Sequence, residues 1–280
     1  MPVASVLTWN ILFGGQDRFD RILEVLGAAR PDVVVLQECL GWEEGGRLTD
    51  VCVALGLPRD PRHVHLGLAR PRPSGSRYHV ALFSRLPILA VQDHADPAVV
   101  GHCLVEATLD APGGPITLFG THLDAHGEDR RLLEARYVVE RLRPAALAGA
   151  RALLLGDLNA LTPRDPYPRE LPLRLEAAHI GKYGHPPRME VLPLLSAVGW
   201  VDLLVEARPE ALARAGAVVQ PHPRWVTAVR GGGLVHARTD YVLASPLLAD
   251  RLVDAAVLDC GGASDHEPVV ARLDLSAASL

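Results

Sequence analysis

The sequence predicts an α+β protein in which short strands and amphipathic helices alternate within a single domain. Apolar, β-branched runs recur along the chain, and stretches with apolar residues at helical spacing lie between them. No repeat, low-complexity segment or linker divides the 280 residues. A chain of this length buries about three quarters of its unfolded surface, so it needs neither a disulfide nor a metal ion to fold. We therefore expect residues 1–280 to form one domain.

The strand predictions rest on short runs of residues that favour extended backbone. The first run, 3–10, is β-branched and aromatic and ends near a Gly-Gly turn, which is typical of a buried strand. The second, DVVVLQ at 32–37, is short and continuously apolar, as in a strand covered on both faces. The remaining predicted strands are 80–84, 88–92, 104–109, 116–120, 152–155, 240–244 and 269–273.

Helices are predicted where apolar residues recur with a period of three to four. In 19–30 this spacing ends at Pro31, which stops a helix. In 129–142 the apolar residues share one face. The least regular stretch, 162–188, is crowded with Pro, Arg and His. It is predicted to be either a loop that covers the substrate or a solvated excursion.

Charge and composition exclude few functions. The chain has 28 basic and 33 acidic residues, and its net charge of −5 gives no strong global attraction for nucleic acid or acidic membranes. A local basic cleft is still compatible with this charge. Lys182 is the only lysine. The four cysteines form no C-x-x-C pair and lie among apolar neighbours, as reduced core cysteines do. We find no secretory or membrane-spanning pattern, and we expect a cytoplasmic monomer.

Polar residues recur where the predicted strands begin or end. They are Asn10, Glu38, His122, Asp157, Asn159, Asp240, Asp265 and His266. If these ends meet at one edge, carboxylates and imidazoles line a shared pocket, which suits Mg²⁺ better than zinc because no zinc-ligand spacing is present. Each residue alone also fits a surface turn, an Asx-turn or a core histidine. Their common order is what favours a site.

Seven motifs appear in a characteristic order: TWNI, LQE, ALFSR-x-PI, THLDAH, GDLNA, TDYVL and SDH. In sequence and approximate spacing they resemble the endonuclease/exonuclease/phosphatase superfamily, from Thr8 to Pro268. The resemblance implies a four-layer αββα sandwich like that of deoxyribonuclease I, with two mostly antiparallel sheets face to face and helices outside. The alternation of strands and helices is compatible with that fold.

The resemblance also implies residues that bind the metal ion and the substrate. Glu38 is similar to the main metal-binding carboxylate, Asn10 lies beside it, and Asp265 is a further candidate ligand. The implied cofactor is Mg²⁺ or Mn²⁺. Arg131 is placed where many members have an arginine that steers phosphate, although a salt bridge on the helix surface is the alternative. Trp225 is a candidate for stacking on a base or sugar, or for the core.

The catalytic roles implied by the resemblance fall on five residues. Asp157 and Asn159 resemble the pair that positions the attacking water and the scissile phosphate. His266 resembles the catalytic histidine, and Asp240 the carboxylate that orients its ring. His122 is similar to the histidine that donates a hydrogen bond to the phosphate or the leaving group. Either Asp157 or His266 can accept the proton of the water.

The function these residues imply is hydrolysis of a phosphoester, with a phosphodiester favoured, by a metal-associated water. A nuclease acting on DNA or RNA and a phosphomonoesterase are alternatives within the enzymes, and a non-catalytic binding protein on the same scaffold is the alternative outside them. Leu12 stands where repair-type apurinic endonucleases usually have an aspartate two residues after the first asparagine, which counts against a repair role.

Overall fold

The computed structural model describes residues 3–96, 98–207 and 225–276, which form two six-stranded β-sheets with helices on their outer faces. The strands are Val3–Asn10 (β1), Val33–Leu40 (β2), Val64–Gly67 (β3), Tyr78–Ser84 (β4), Ile88–His94 (β5), Leu104–Leu109 (β6), Ile116–His122 (β7), Ala152–Asp157 (β8), Val201–Asp202 (β9), Ala228–Arg230 (β10), Val235–Ala237 (β11), Asp240–Ala244 (β12), Leu252–Val257 (β13) and Val269–Asp274 (β14). The helices are Phe19–Ala29 (α1), Gly46–Leu55 (α2), Glu128–Leu147 (α3), Leu171–Ala177 (α4), Val191–Ser196 (α5) and Pro246–Ala249 (α6).

The two sheets pack face to face and confirm the predicted four-layer sandwich. The first sheet has the order β13-β14-β1-β2-β4-β3, and the second has the order β5-β6-β7-β8-β12-β9. Val35 of the first sheet and Leu155 and Val242 of the second belong to one buried apolar cluster between the sheets. Because both inner faces are apolar, this cluster is the centre of the core.

Each sheet is covered on its outer face by helices. Ile22 of α1 and Val51 of α2 pack in one cluster with β1 and β2. Leu132 of α3 and Leu192 of α5 pack in another cluster with β8 and β12. Burial of these side chains against the sheets supplies about 1.5–3 kcal/mol per large apolar residue. In the described parts of the chain, no helix combines the length and apolar character needed to cross a membrane.

Several boundaries differ from the predictions. β2 continues past 37 to Leu40, and α3 runs from Glu128 to Leu147 through Pro144, beyond the predicted end at 142. The stretch 162–188 contains α4 and is therefore not wholly irregular. Helix α2 and the separate β10–β11 hairpin carry no strong pattern and were not predicted.

Candidate active site

Strand register brings three of the predicted site residues together at one end of the second sheet. β7 runs parallel to β8 with His122 opposite Asp157, and β12 runs antiparallel to β8 with Asp240 opposite Asp157. All three side chains are buried. The central position of β8 therefore makes Asp157 the residue around which the site is arranged.

His266 and Asp240 form a buried hydrogen-bonded pair. Nδ1 of His266 lies 2.8 Å from Oδ2 of Asp240, and the hydroxyls of Thr227 and Thr239 donate to the same oxygen at 2.6 and 3.0 Å. Burial alone would lower the pKa of His266, but the Asp240 and Asp157 carboxylates outweigh it and raise the pKa to about 9. The ring is therefore a cation at neutral pH, held in one orientation.

Asp157 lies between the two histidines and an asparagine. Nδ2 of Asn10 donates to its Oδ2 at 3.0 Å, and Nε2 of His122 and of His266 lie 3.6 and 3.7 Å from that oxygen. Burial would raise the pKa of Asp157, but the neighbouring charges, that of His266 above all, hold the pKa well below its usual range. The carboxylate is ionised at neutral pH and can accept a proton.

Glu38 occupies an irregular point within β2. Pairing between β2 and β4 shifts register between Leu36 and Cys39, and Glu38 has a φ of 61°, a conformation that non-glycine residues seldom adopt. Its Oε1 accepts a hydrogen bond from Nδ2 of Asn10 at 3.1 Å, and its Oε2 accepts one from the backbone N–H of Phe13 at 3.0 Å. The bulge turns this carboxylate to the cleft.

The donor set around Glu38 fits a hard divalent cation. The Asn10 amide nitrogen donates to both carboxylates, so oxygen atoms of Glu38 and Asp157, the ligand type that Mg²⁺ prefers, lie close to each other in the cleft. Ligand atoms of Asp157, Asp240 and His266 also lie within 4.8 Å of one another. In that trio the Asp240–His266 hydrogen bond occupies the ring nitrogen Nδ1, so we regard Glu38 with Asn10 as the better fit for the ion.

His122 is enclosed by polar and aromatic partners. Nδ2 of Asn159 lies 3.0 Å from Nε2 of His122, and the His102 ring stacks on the His122 ring at 4.1 Å between centroids. Burial lowers the pKa of His122 to about 4, against the attraction of Asp157. His122 is therefore neutral at physiological pH.

A cleft of about 350 Å³ is lined on one side by Glu38, Asp157 and Asn159. The buried side chains next to them do not line it: Asn10, His122, Asp240 and His266. Arg72, Lys182 and Arg230 line it as well, and none of them was singled out from the sequence as a site residue. Phe13 and Tyr78 add aromatic surface, with Arg72 stacked over the Tyr78 ring at 4.0 Å. The cleft thus combines an acidic, ion-binding side with cationic and aromatic walls.

Arg230 contacts two of the three residues of the SDH motif, Asp265 and His266. Its Nη1 bonds to Asp265 and its Nη2 approaches Nε2 of His266. A guanidinium only donates hydrogen bonds, so the contact with Nε2 corresponds to a neutral ring, whereas the raised pKa of His266 describes a protonated ring. We take the protonated ring as the state at neutral pH because two buried carboxylates favour it. In that state, Nε2–H faces Asp157.

Lys182 enters the cleft from the stretch 162–188. Its Nζ donates to Oδ1 of Asn159 at 2.7 Å, and burial lowers its pKa to about 8. The sequence did show that Lys182 is the only lysine, but nothing in the residues around it indicated that it lies in the candidate site.

Two predicted substrate-binding residues do not line the cleft, and one predicted metal ligand is already paired. Arg131 is buried, does not line the cleft, and binds the backbone carbonyl of Asp124 at 2.9 Å and the carboxylate of Glu128. Trp225 packs edge-on against Tyr167 at 5.1 Å and is also absent from the cleft lining. Asp265 is paired with Arg230. Arg131 therefore holds residues next to the site, and Trp225 packs against Tyr167.

The comparisons with known proteins indicate one protein family. The sequence profile of the Endonuclease/Exonuclease/phosphatase family matches residues 7–266. No curated protein matches the sequence significantly. Among solved structures, an endonuclease/exonuclease/phosphatase from Beutenbergia cavernae is 25% identical with a TM-score of 0.63, over 99% of this chain and 72% of its own.

Two further solved structures have similar folds. An AP endonuclease from Archaeoglobus fulgidus is 19% identical with a TM-score of 0.66, over 97% of this chain and 99% of its own. A 3′ phosphatase, NExo, from Neisseria, bound to a product DNA hairpin, is 18% identical with a TM-score of 0.65, over 97% of this chain and 99% of its own. At these identities the likeness concerns the fold.

Proposed function

Because the chain belongs to the endonuclease/exonuclease/phosphatase family, we propose that it is a metal-dependent hydrolase that cleaves a phosphoester, with a phosphodiester favoured, by direct attack of water. The observation that carries the proposal is the position of Asp157. It is an ionised, buried carboxylate flanked by Glu38 through the Asn10 amide and by the Asp240–His266 pair. A binding protein on this scaffold would have no need of such an arrangement.

The metal ion would be held by Glu38 with Asn10 beside it, and Mg²⁺ or Mn²⁺ suits these oxygen ligands. When bound, such an ion polarises the phosphoryl group and lowers the pKa of an associated water. The bulge at Glu38 and the Phe13 N–H keep the carboxylate turned to the cleft. Asp265 is a weaker candidate ligand because its carboxylate is already paired with Arg230.

The chain's own residues supply the proton transfers. Asp157 accepts the proton of the attacking water through Oδ2, because it is ionised at neutral pH. His266 is protonated and gives its Nε2–H to the leaving oxygen as the bond from phosphorus to that oxygen breaks, while Asp240 fixes the ring. Asn159 lines the cleft, but its amide N–H groups are directed to Leu123 and His122 and its oxygen to Lys182, so it orders these neighbours. His122, which is neutral and buried, contributes no charge.

A nuclease is the second candidate, and one observation favours it. Phe13 is 41% exposed and its ring lies 6.0 Å from that of Tyr78, next to the Arg72 guanidinium. An exposed aromatic pair with a stacked arginine can receive a nucleobase beside the scissile phosphate. The net charge of −5 weighs against a long nucleic-acid track. A phosphomonoesterase differs only in leaving group and charge.

We further propose that residues 1–280 form a single domain that acts as a cytoplasmic monomer. Support for one domain comes from the apolar cluster that both sheets share. No feature of the described residues identifies a partner other than the phosphoester.

Hydrolysis of an aryl phosphodiester and of its monoester, with Mg²⁺ or Mn²⁺ and with chelator, tests the proposal. We expect metal-dependent cleavage of the diester that is lost in His266→Ala. His94→Ala is the matched control, because His94 also forms a histidine–carboxylate pair, at 2.7 Å from Glu106, on edge strand β5. Equal activity in chelator, or in His266→Ala, would contradict the proposed enzyme. Single-stranded DNA and RNA then serve as substrates for the nuclease alternative.

A further inference from the structure

We propose that Lys182 is a positioning residue that fixes the amide orientation of Asn159 and, through it, which ring nitrogen of His122 carries the proton. The inference deepens the proposed function and rests on it. Lys182 acts across 23 positions of sequence on Asn159, inside the candidate site.

Arg131 holds the backbone of Lys182 through two hydrogen bonds. Nη1 and Nη2 of Arg131 donate to the Lys182 carbonyl at 3.3 and 3.4 Å. The ring of buried Tyr183 lies beneath both cations, 5.7 Å from the Arg131 guanidinium carbon and 5.1 Å from Nζ of Lys182. Because the backbone and the side chain of Lys182 are both anchored, its ammonium has a defined position. Arg131, which is buried in the first turn of α3, contributes to that position.

The ammonium determines how the Asn159 amide is turned. A lysine ammonium has only donors, so the amide atom 2.7 Å from Nζ must be the oxygen Oδ1. Nδ2 then points the other way, 3.1 Å from the carbonyl of Leu123 and 3.0 Å from Nε2 of His122. The chemistry of the lysine therefore assigns the amide orientation.

The amide orientation in turn selects the tautomer of His122. An amide N–H requires an acceptor, so Nε2 of His122 carries a lone pair and the ring proton is on Nδ1. With the opposite tautomer, Nε2–H and the Asn159 N–H would be two donors facing each other at 3.0 Å, so the amide would have to turn its oxygen away from Lys182. Nδ1 of His122 has no hydrogen-bond partner among the described residues, so the tautomer is selected by the contact with Asn159. Lys182 thus fixes the position of the proton on a ring whose Nε2 lies 3.6 Å from Oδ2 of Asp157.

The test compares Lys182→Met with Lys182→Arg, which keeps a donor cation. ¹⁵N spectra of histidine-labelled protein, with His122 assigned through His122→Gln, report the tautomer without any need for turnover. We expect the Nδ1–H pattern in the wild type, a shift towards Nε2–H in Lys182→Met, and recovery in Lys182→Arg. The kcat/KM for the diester should fall by roughly 10–100-fold in Lys182→Met, mainly through kcat, as for other residues that orient a reacting group.

Arg143→Met is the control for loss of a cation, because Arg143 forms an exposed pair with Glu140 on α3. It should leave both readouts unchanged. A His122 spectrum identical in the wild type and a folded Lys182→Met would overturn the inference. If Lys182→Met does not fold, a wild-type spectrum with the proton on Nε2 overturns it equally. An inactive wild type would instead reject the proposed function, while the spectra still decide the role of Lys182.

Discussion

Oδ2 of Asp240 accepts hydrogen bonds from Nδ1 of His266 at 2.8 Å and from two threonine hydroxyls, so a single carboxylate oxygen orients the ring and is itself held in place. The threonines prevent the carboxylate from turning away when the ring changes charge.

Replacing Asp240 by Asn should lower kcat/KM on the order of 10²–10⁴-fold, because the amide neither holds the ring tautomer nor favours the cation. The pKa of His266, raised to about 9 in the wild type, should fall. A ¹H–¹⁵N titration of His266 measures that fall directly. The decline of kcat/KM at alkaline pH, near pH 9 in the wild type, should move to lower pH together with this pKa. An unchanged titration would show that Asp240 does not control the ring.

Stability should depend on pH through His266. Its folded-state pKa of about 9 exceeds the ordinary value of 6.5, so the folded protein binds the proton more tightly. This contribution is fully present below about pH 6.5 and is lost as the pH rises through 9. The free energy of unfolding of the wild type, minus that of His266→Gln, should fall by up to about 3 kcal/mol across this window. Urea denaturation at pH 6, 7.5 and 9.5 checks the slope, and a constant difference would contradict it.

Glu38→Gln should abolish stabilisation by Mg²⁺ or Mn²⁺. A ligand present at 100 times its Kd stabilises the folded state by about 2.7 kcal/mol, which a thermal shift with and without metal detects in the wild type. Glu44→Gln, in the nearby 3₁₀ turn at an exposed position, is the matched control and should retain the shift. If Glu38→Gln kept the full metal-dependent thermal shift, the ion would have to bind at other residues.

Arg230→Met should raise KM by roughly 10–100-fold, since a hydrogen bond to a charged group contributes about 1.5–3 kcal/mol. Arg230 lines the cleft, and a protonated His266 has no lone pair on Nε2 to accept its hydrogen bond, so we expect the guanidinium to bind the phosphate. Steady-state kinetics separate KM from kcat. A loss confined to kcat would mean that Arg230 acts on His266 rather than on the substrate.

Arg238→Met should destabilise the fold by about 3–5 kcal/mol. The buried guanidinium bonds to Asp202 at 2.9 and 2.6 Å and to Asp165 at 2.9 Å, and its loss leaves two buried carboxylates without their cation. Arg272→Met, which breaks an exposed pair with Asp254, should cost no more than about 1 kcal/mol. Chemical denaturation of both variants gives the comparison, and equal losses would refute the difference in burial as the cause.

The sequence predicted the parts of the fold and site that depend on local patterns. Apolar runs marked most strands of both sheets, and polar residues at the ends of these runs do meet: Asp157 ends β8 and lies opposite Asp240, which begins antiparallel β12. The prediction succeeded because the end of one strand lies beside the beginning of its antiparallel neighbour. The family motifs supplied the sandwich itself, which alternation alone does not specify.

What the sequence could not show depends on contacts between distant segments. Lys182 reaches Asn159 from an irregular stretch, and Arg230 reaches His266 from a hairpin, so no period or spacing marks either residue. Arg131 was assigned to phosphate or to the helix surface, since helical position alone does not reveal that residues near 182 cover the first turn of α3. The backbone conformation of Glu38 could not be predicted either, because no sequence pattern indicates a positive φ at a glutamate.

The β10–β11 hairpin belongs to neither large sheet, yet it reaches the reacting groups at three points. Ala228 pairs with His266, Thr227 beside it binds Asp240, and Arg230 meets the SDH motif. Its tip is a run of three glycines, Gly231–Gly233. A change in the length or tip of this hairpin would therefore act on Asp240 and His266 together without altering strand pairing within either large sheet, which makes the hairpin a place to vary substrate preference.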